Sequence, residues 1–188
     1  MNEKSPIKIH RITHVGEIND NFVNAIMSII NELPPDINVI DLHISSSGGD
    51  TRAGITAYNF LKTLPYALMT RNIGNVDSAA ILPFLAGQLR TAEEVSRFTF
   101  HPATISCVPA MNFVQLDEKM RLLNNDIDEY AAIVSKEAPA FAKEHNIAVI
   151  LRGGTVILDK HEDYYRTGLL TPPGKEIVVN LNDPPTGA

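Results

Sequence analysis

Strand and helix patterns that alternate along the chain predict an α/β fold with largely parallel pairing. Residues 7–15, Ile-Lys-Ile-His-Arg-Ile-Thr-His-Val, alternate apolar with polar side chains as a half-buried strand does. A second such run, Val39 to Ser45, sets Ile40, Leu42 and Ile44 on one face and Asp41 and His43 on the other. Between and after them lie apolar stripes at helical spacing. At 188 residues, 44% hydrophobic and 20% charged, the chain has the composition of an ordinary globular protein, and one domain over 1–188 is expected.

The elements follow in order. Gly16 to Asp20 reads as a turn with a helix cap, and Phe22, Ile26, Ile29, Ile30 and Leu33 form the stripe of the first helix, stopped by Pro34-Pro35. After the second strand, Ser45-Ser46-Ser47-Gly48-Gly49-Asp50 is a flexible turn into a second helix marked by Ala53, Ala57, Phe60, Leu61 and Leu64. Residues 66–73 are strand-like and Ser78 to Ala86 helical, while Phe98 to His101 and Thr104 to Val108 read as short strands. The longest periodic segment is Asn112 to Lys136, where Leu116, Met120, Leu123, Ile127, Tyr130 and Val134 step by 4, 3, 4, 3 and 4. So narrow a seam suits a helix lying on another helix, in a neighbouring subunit or in the domain's own core. Thr155 to Leu158 reads as a late strand, and the tail from about 175 to 188, polar and proline-rich at its end, is expected to be flexible.

Several functions are disfavoured. The net charge of −6 and the lack of a basic run argue against nucleic acid. No apolar run approaches membrane-spanning length, and the N-terminus has no signal-peptide core. The single Cys107 rules out an internal disulfide and a cysteine-rich zinc site and suits a reducing compartment, so a cytoplasmic protein without metal or cofactor is expected. There is no phosphate-binding glycine loop, dinucleotide fingerprint or His-Glu-x-x-His pattern.

Acyl transfer is the chemistry left to consider. It needs a nucleophile, a base and donors for an oxyanion. Ser78 ends the polar turn Gly74-Asn75-Val76-Asp77 and opens a run of small apolar residues, so it is either a nucleophile or a helix cap. By itself the stretch favours the cap. The N–H of Ala79 and the side-chain-free backbone of Gly48-Gly49 could face an oxyanion, although a plain strand-to-helix turn explains the glycines equally. Of the six histidines, His101 stands out because it ends a strand at His101-Pro102, at a sheet edge where α/β sites lie. Structural histidines are nevertheless the commoner kind.

Taken together, Ser47-Gly48-Gly49, then Gly74 to Ser78, then Ala86-Gly87, then Arg90 with His101 eleven residues on, resemble the proteolytic subunit of the Clp protease and its relatives in the wider Clp/crotonase fold. Ser47 stands for the family's proline before the two glycines, and Val76-Asp77 for its two alanines before the serine. The resemblance runs from about Ile9 to Leu170. It implies stacked αβ units with a curved, largely parallel sheet and a protruding helical handle at about 112–136. It further implies Ser78 as nucleophile, His101 as general base, Gly49 and Ala79 as oxyanion donors, and Gly48 beside the substrate.

Peptides or unfolded polypeptides would be the substrates, and homo-oligomers, as rings, the assembly. An ATP-driven unfoldase partner is left open, since little chain precedes the first strand. The family's acidic triad residue should fall near Leu151 or Arg152, and neither is acidic; Asp159 is the nearest following carboxylate. Asp77 adds a negative charge next to the nucleophile position. A catalytically weak or inactive ring or regulatory subunit, and an acyl-CoA enzyme of the crotonase branch, are the alternative functions.

Overall fold

The computed structural model describes residues 6–106 and 110–176. Six strands form one sheet in the order β1-β2-β3-β5-β6, with β4 also on β3. β1 (Ile9–Val15), β2 (Val39–Ser46), β3 (Ala67–Asp77), β4 (Leu89–Ala92) and β5 (Arg97–Phe100) pair in parallel, and β6 (Val156–Leu158) runs antiparallel to β5. The α/β class and mostly parallel sheet predicted from the sequence are what the structure has.

Helices fill the crossovers. α1 (Asp20–Asn31) begins where the Asn19 side chain accepts from the Phe22 N–H, and it buries Phe22, Val23, Ile26 and Ile30. α2 (Thr51–Lys62) is capped by Asp50, whose carboxylate accepts from the Ala53 N–H. Both helices cover the apolar side chains of the central strands, among them Ile40, Leu42 and Ile44, which are fully buried. Phe98 of β5 stacks between Phe84 and Tyr164, with ring centroids 5.0 and 4.9 Å away.

β3 is longer than expected. It continues past Gly74 to Asp77, so its first half pairs with β4 (Met69 to Asn72) and its last residues with β5 (Asn75 to Asp77). The predicted 66–73 boundary followed the glycine, but a neighbouring strand supplies the hydrogen bonds that keep the backbone extended beyond it. β4 itself was not anticipated, being short and half-buried. Ser78 to Ala86 divides into a 3-10 turn, Ser78–Ala80, and α3 (Ile81–Leu85). The expected strand at Thr104 to Val108 is irregular over residues 104–106, and its remainder, with Cys107, lies outside the described residues, as do residues 177–188 of the tail.

The predicted long helix is α4 (Phe113–Glu137), opened by a reciprocal cap between Asn112 and Gln115. α5 (Pro139–Glu144), α6 (Ile147–Gly153) and α7 (His161–Arg166) complete the fold. The C-terminal half of the α4 seam lies on the domain's own core, and the N-terminal half is exposed. Ile127, Tyr130 and Val134 are at most 3% exposed, whereas Leu116 and Met120 are 47% and 48% exposed.

Candidate active site

β3 delivers Ser78. Asp77 closes the strand and stands at the cap position of the 3-10 turn, but its side chain makes no capping bond. Ser78 has a φ of 54°, and it is the one non-glycine residue with a positive φ among the described residues. A helix cap adopts extended backbone, so the cap reading of Ser78 does not fit. An L-residue held in the left-handed region at a strand-to-helix turn is strained, and such strain concentrates at functional positions. A similar sharp turn exposes the hydroxyl of the nucleophilic serine in α/β-hydrolases.

Gly48 and Gly49 meet this elbow. Gly48 has a φ of 100°, and a Cβ on it would sit 2.6 Å from the Ser78 Cβ and 2.9 Å from the Asp77 carbonyl oxygen. No other residue fits between β2 and the serine. Gly49 (φ 145°) lies flat on Ile18: the Ile18 N–H donates to the Gly48 oxygen at 2.9 Å, and the Asp50 N–H donates to the Ile18 oxygen at 2.8 Å. These bonds bracket Gly49 and leave its own N–H out. Neither the Gly49 nor the Ala79 N–H makes a turn, loop or side-chain hydrogen bond among the described residues.

His101 arrives from β5. The parallel register sets Val76 beside Phe98 and Asp77 beside Thr99, so the chain leaves β5 next to the Ser78 turn. The imidazole is half-buried, and its Nδ1 lies 3.0 Å from the Pro102 carbonyl oxygen. The segment is anchored to α6, since the Ala103 N–H donates to the Leu151 oxygen at 2.8 Å. No hydrogen bond joins Ser78 to His101 among the described residues.

The position expected for the acid holds no carboxylate. Leu151 is buried at 4% exposure. Arg152 turns to α4, where it meets Asp128 and Asn124, each at 3.2 Å. Asp77 proves less disruptive than its charge suggests: its Oδ2 accepts from Arg97 at 3.1 Å and from Asn75 at 2.9 Å. Asn75 in turn accepts from the Ser45 hydroxyl at 3.1 Å, which ties β2, β3 and β5 together under the elbow. Sequence reasoning missed this network, and it missed the Pro102 carbonyl, because neither carries a motif.

Arg90 works as structural cement. Its guanidinium donates to the carbonyls of Leu169, Gly87, Glu137 and Gly168 at 2.9 to 3.2 Å, and burial pulls its pKa down from the ordinary value. Among the described residues, no group of three or more His, Cys, Asp or Glu is arranged to hold a metal, and no helix is long and apolar enough to cross a membrane.

Among solved structures, the fold is similar to that of a point mutant of ClpP1 from Listeria monocytogenes, with a TM-score of 0.63 at 18% identity over 85% of this chain and 88% of that one. No curated protein matches in sequence. The family model described as Clp protease matches residues 5–140, a span that holds Gly48, Gly49, Ser78, Ala79 and His101 and stops before Leu151. With the motifs in order, the strained serine elbow in place and most of the chain matched, this protein belongs to the Clp protease family.

Proposed function

We propose that the chain is a serine peptidase that hydrolyses peptide bonds through an acyl-enzyme on Ser78. The observation that carries the reading is the left-handed Ser78, wedged against Gly48 and flanked by the strand that leads into His101. Ser78 Oγ attacks the scissile carbonyl while His101 Nε2 takes its proton, and the imidazolium returns that proton to the leaving amine. The N–H groups of Gly49 and Ala79 receive the oxyanion, and Gly48 lets the substrate backbone come close. Water then repeats the sequence to release the acyl group and restore Ser78.

The Pro102 carbonyl serves where the family's acid would stand. Donation from His101 Nδ1–H to that oxygen selects the tautomer with a free lone pair on Nε2, the form a general base needs. A neutral carbonyl stabilises the imidazolium less than a carboxylate does. Loss of a triad acid costs up to about 10⁴ in rate, so turnover is slow. The Ser78–His101 bond forms when substrate fills the site, as catalytic bonds often do.

A serine-directed fluorophosphonate is expected to label the wild type and to spare Ser78→Ala. Absence of labelling, under conditions that modify an active family member, would overturn the proposal. A second reading, a ring or regulatory subunit without catalysis, draws on Leu151 and the open Ser78–His101 contact. It predicts that Ser78→Ala behaves as wild type in every assay. In either reading, copies of the chain assemble through the exposed apolar residues of α4, and Phe113, Val114, Leu116, Met120 and Leu122 are the surface for it.

A further inference from the structure

Tyr130 lies on α4 and is 2% exposed, far along the chain from the elbow, yet its hydroxyl donates to the Ser78 carbonyl oxygen at 2.9 Å. The same oxygen accepts from the Ile81 N–H at the end of the 3-10 turn, a donor it shares with the Ala79 oxygen. Two donors therefore hold the carbonyl of one peptide unit, the unit that joins Ser78 to Ala79. Its other end is the Ala79 N–H, which makes no turn, loop or side-chain bond among the described residues. Burial pushes the Tyr130 phenol well above its ordinary pKa, so it is a donor at neutral pH.

We infer that Tyr130 is a positioning residue for the oxyanion donor: its hydroxyl fixes the plane of the Ser78–Ala79 peptide and strengthens the Ala79 N–H toward the oxyanion. This rests on the proposed chemistry at Ser78. Hydrogen bonds in series polarise one another, because density drawn to a carbonyl oxygen leaves the amide N–H a better donor. The series here runs from the Tyr130 hydroxyl, through the Ser78 carbonyl and the Ala79 N–H, to the developing charge. It also restrains the strained elbow, whose relaxation toward ordinary helical backbone would swing that N–H away. Tyr130 touches no substrate and acts only through the peptide unit.

Tyr130→Phe keeps the ring and deletes the donor. In the full chain, fluorophosphonate labelling of Ser78 should slow about tenfold, short of the ~10²–10³-fold cost of deleting an oxyanion donor itself. A peptide aldehyde, which forms a tetrahedral oxyanion on serine, should lose affinity by a similar factor. Binding of the corresponding peptide carboxylate, which needs no oxyanion hole, should be unchanged. Tyr58→Phe deletes another buried hydroxyl, one that donates to Glu137 at 2.6 Å, and should leave all three readouts at wild-type values.

Labelling of Tyr130→Phe at the wild-type rate, or equal loss of aldehyde and carboxylate binding, would overturn the inference while leaving Ser78 as nucleophile. An unlabelled wild type would overturn the Ser78 chemistry and the inference with it.

Discussion

The two halves of α4 carry one apolar seam and meet opposite environments. In the C-terminal half, Ile127, Tyr130 and Val134 are buried in the core, and Glu137 closes the helix in a polar clasp. That carboxylate accepts from Tyr58 at 2.6 Å and pairs with Lys62 at 3.1 Å, with Arg90 3.9 Å away. In the N-terminal half, Phe113 is 82% and Val114 72% exposed, and the polar ties are light: Lys119 to the Ser106 carbonyl at 3.2 Å, and Arg121 to Asp117 one turn back at 2.9 Å. Periodicity therefore defines a helix face without naming what covers it. The covered half holds the site together, and the uncovered half is the part available to another chain.

Substitution within the covered half breaks the contrast most severely. Ile127→Ala is expected to destabilise the fold by about 2–5 kcal/mol, the ordinary cost of truncating a buried aliphatic side chain, as read by denaturant unfolding. Tyr130→Phe should cost less, about 1 kcal/mol for one hydrogen bond lost from a carbonyl that keeps its bond to Ile81. An effect on stability as large as that of Ile127→Ala would mean that Tyr130 is chiefly a packing residue.

Acid separates the halves by another route. Burial alone would raise the Glu137 pKa, but hydrogen bonds from Tyr58 and Lys62 and the charges of Lys62 and Arg90 outweigh it and hold the carboxyl below its ordinary value. A depressed folded pKa contributes stability that is present above the unfolded pKa and is lost as pH falls through the folded one. Unfolding midpoints should therefore fall in acid for the wild type, and less steeply for Glu137→Gln. Equal slopes would show that the clasp does not stabilise the covered half through its charge.

The smallest change in monomer stability belongs to the exposed half. Leu116→Ser with Met120→Ser should shift unfolding by less than ~0.5 kcal/mol per site, as for surface positions generally, while lowering the assembly state seen by light scattering. An unchanged assembly state would move the subunit contact elsewhere.

Much of the fold was legible. β1, β2, α1 and α2 announce themselves by alternation, apolar stripes and a capping turn before α1, all local signals, whereas the Asp50 cap of α2 came from the structure. β4 and the far half of β3 carry no local signal because their extended backbone is held by neighbouring strands. At the site, the order of Gly48-Gly49, Ser78 and His101 could be read from spacing, since a strand-to-helix turn needs particular residue types. Nothing in that spacing could distinguish a capping serine from one held at a φ of 54°.

What the sequence determined by itself is the class of fold, the family resemblance and the missing carboxylate at Leu151, because each is a matter of residue type at a position. The tertiary structure alone decided which carbonyl faces His101, how Arg97 pairs with Asp77 while Asn75 donates to it, and that a tyrosine on the long helix reaches the Ser78 carbonyl. Arg97 and Tyr130 reach their partners from other elements. Contacts of that kind depend on how elements pack in three dimensions, and no periodicity along one element records them.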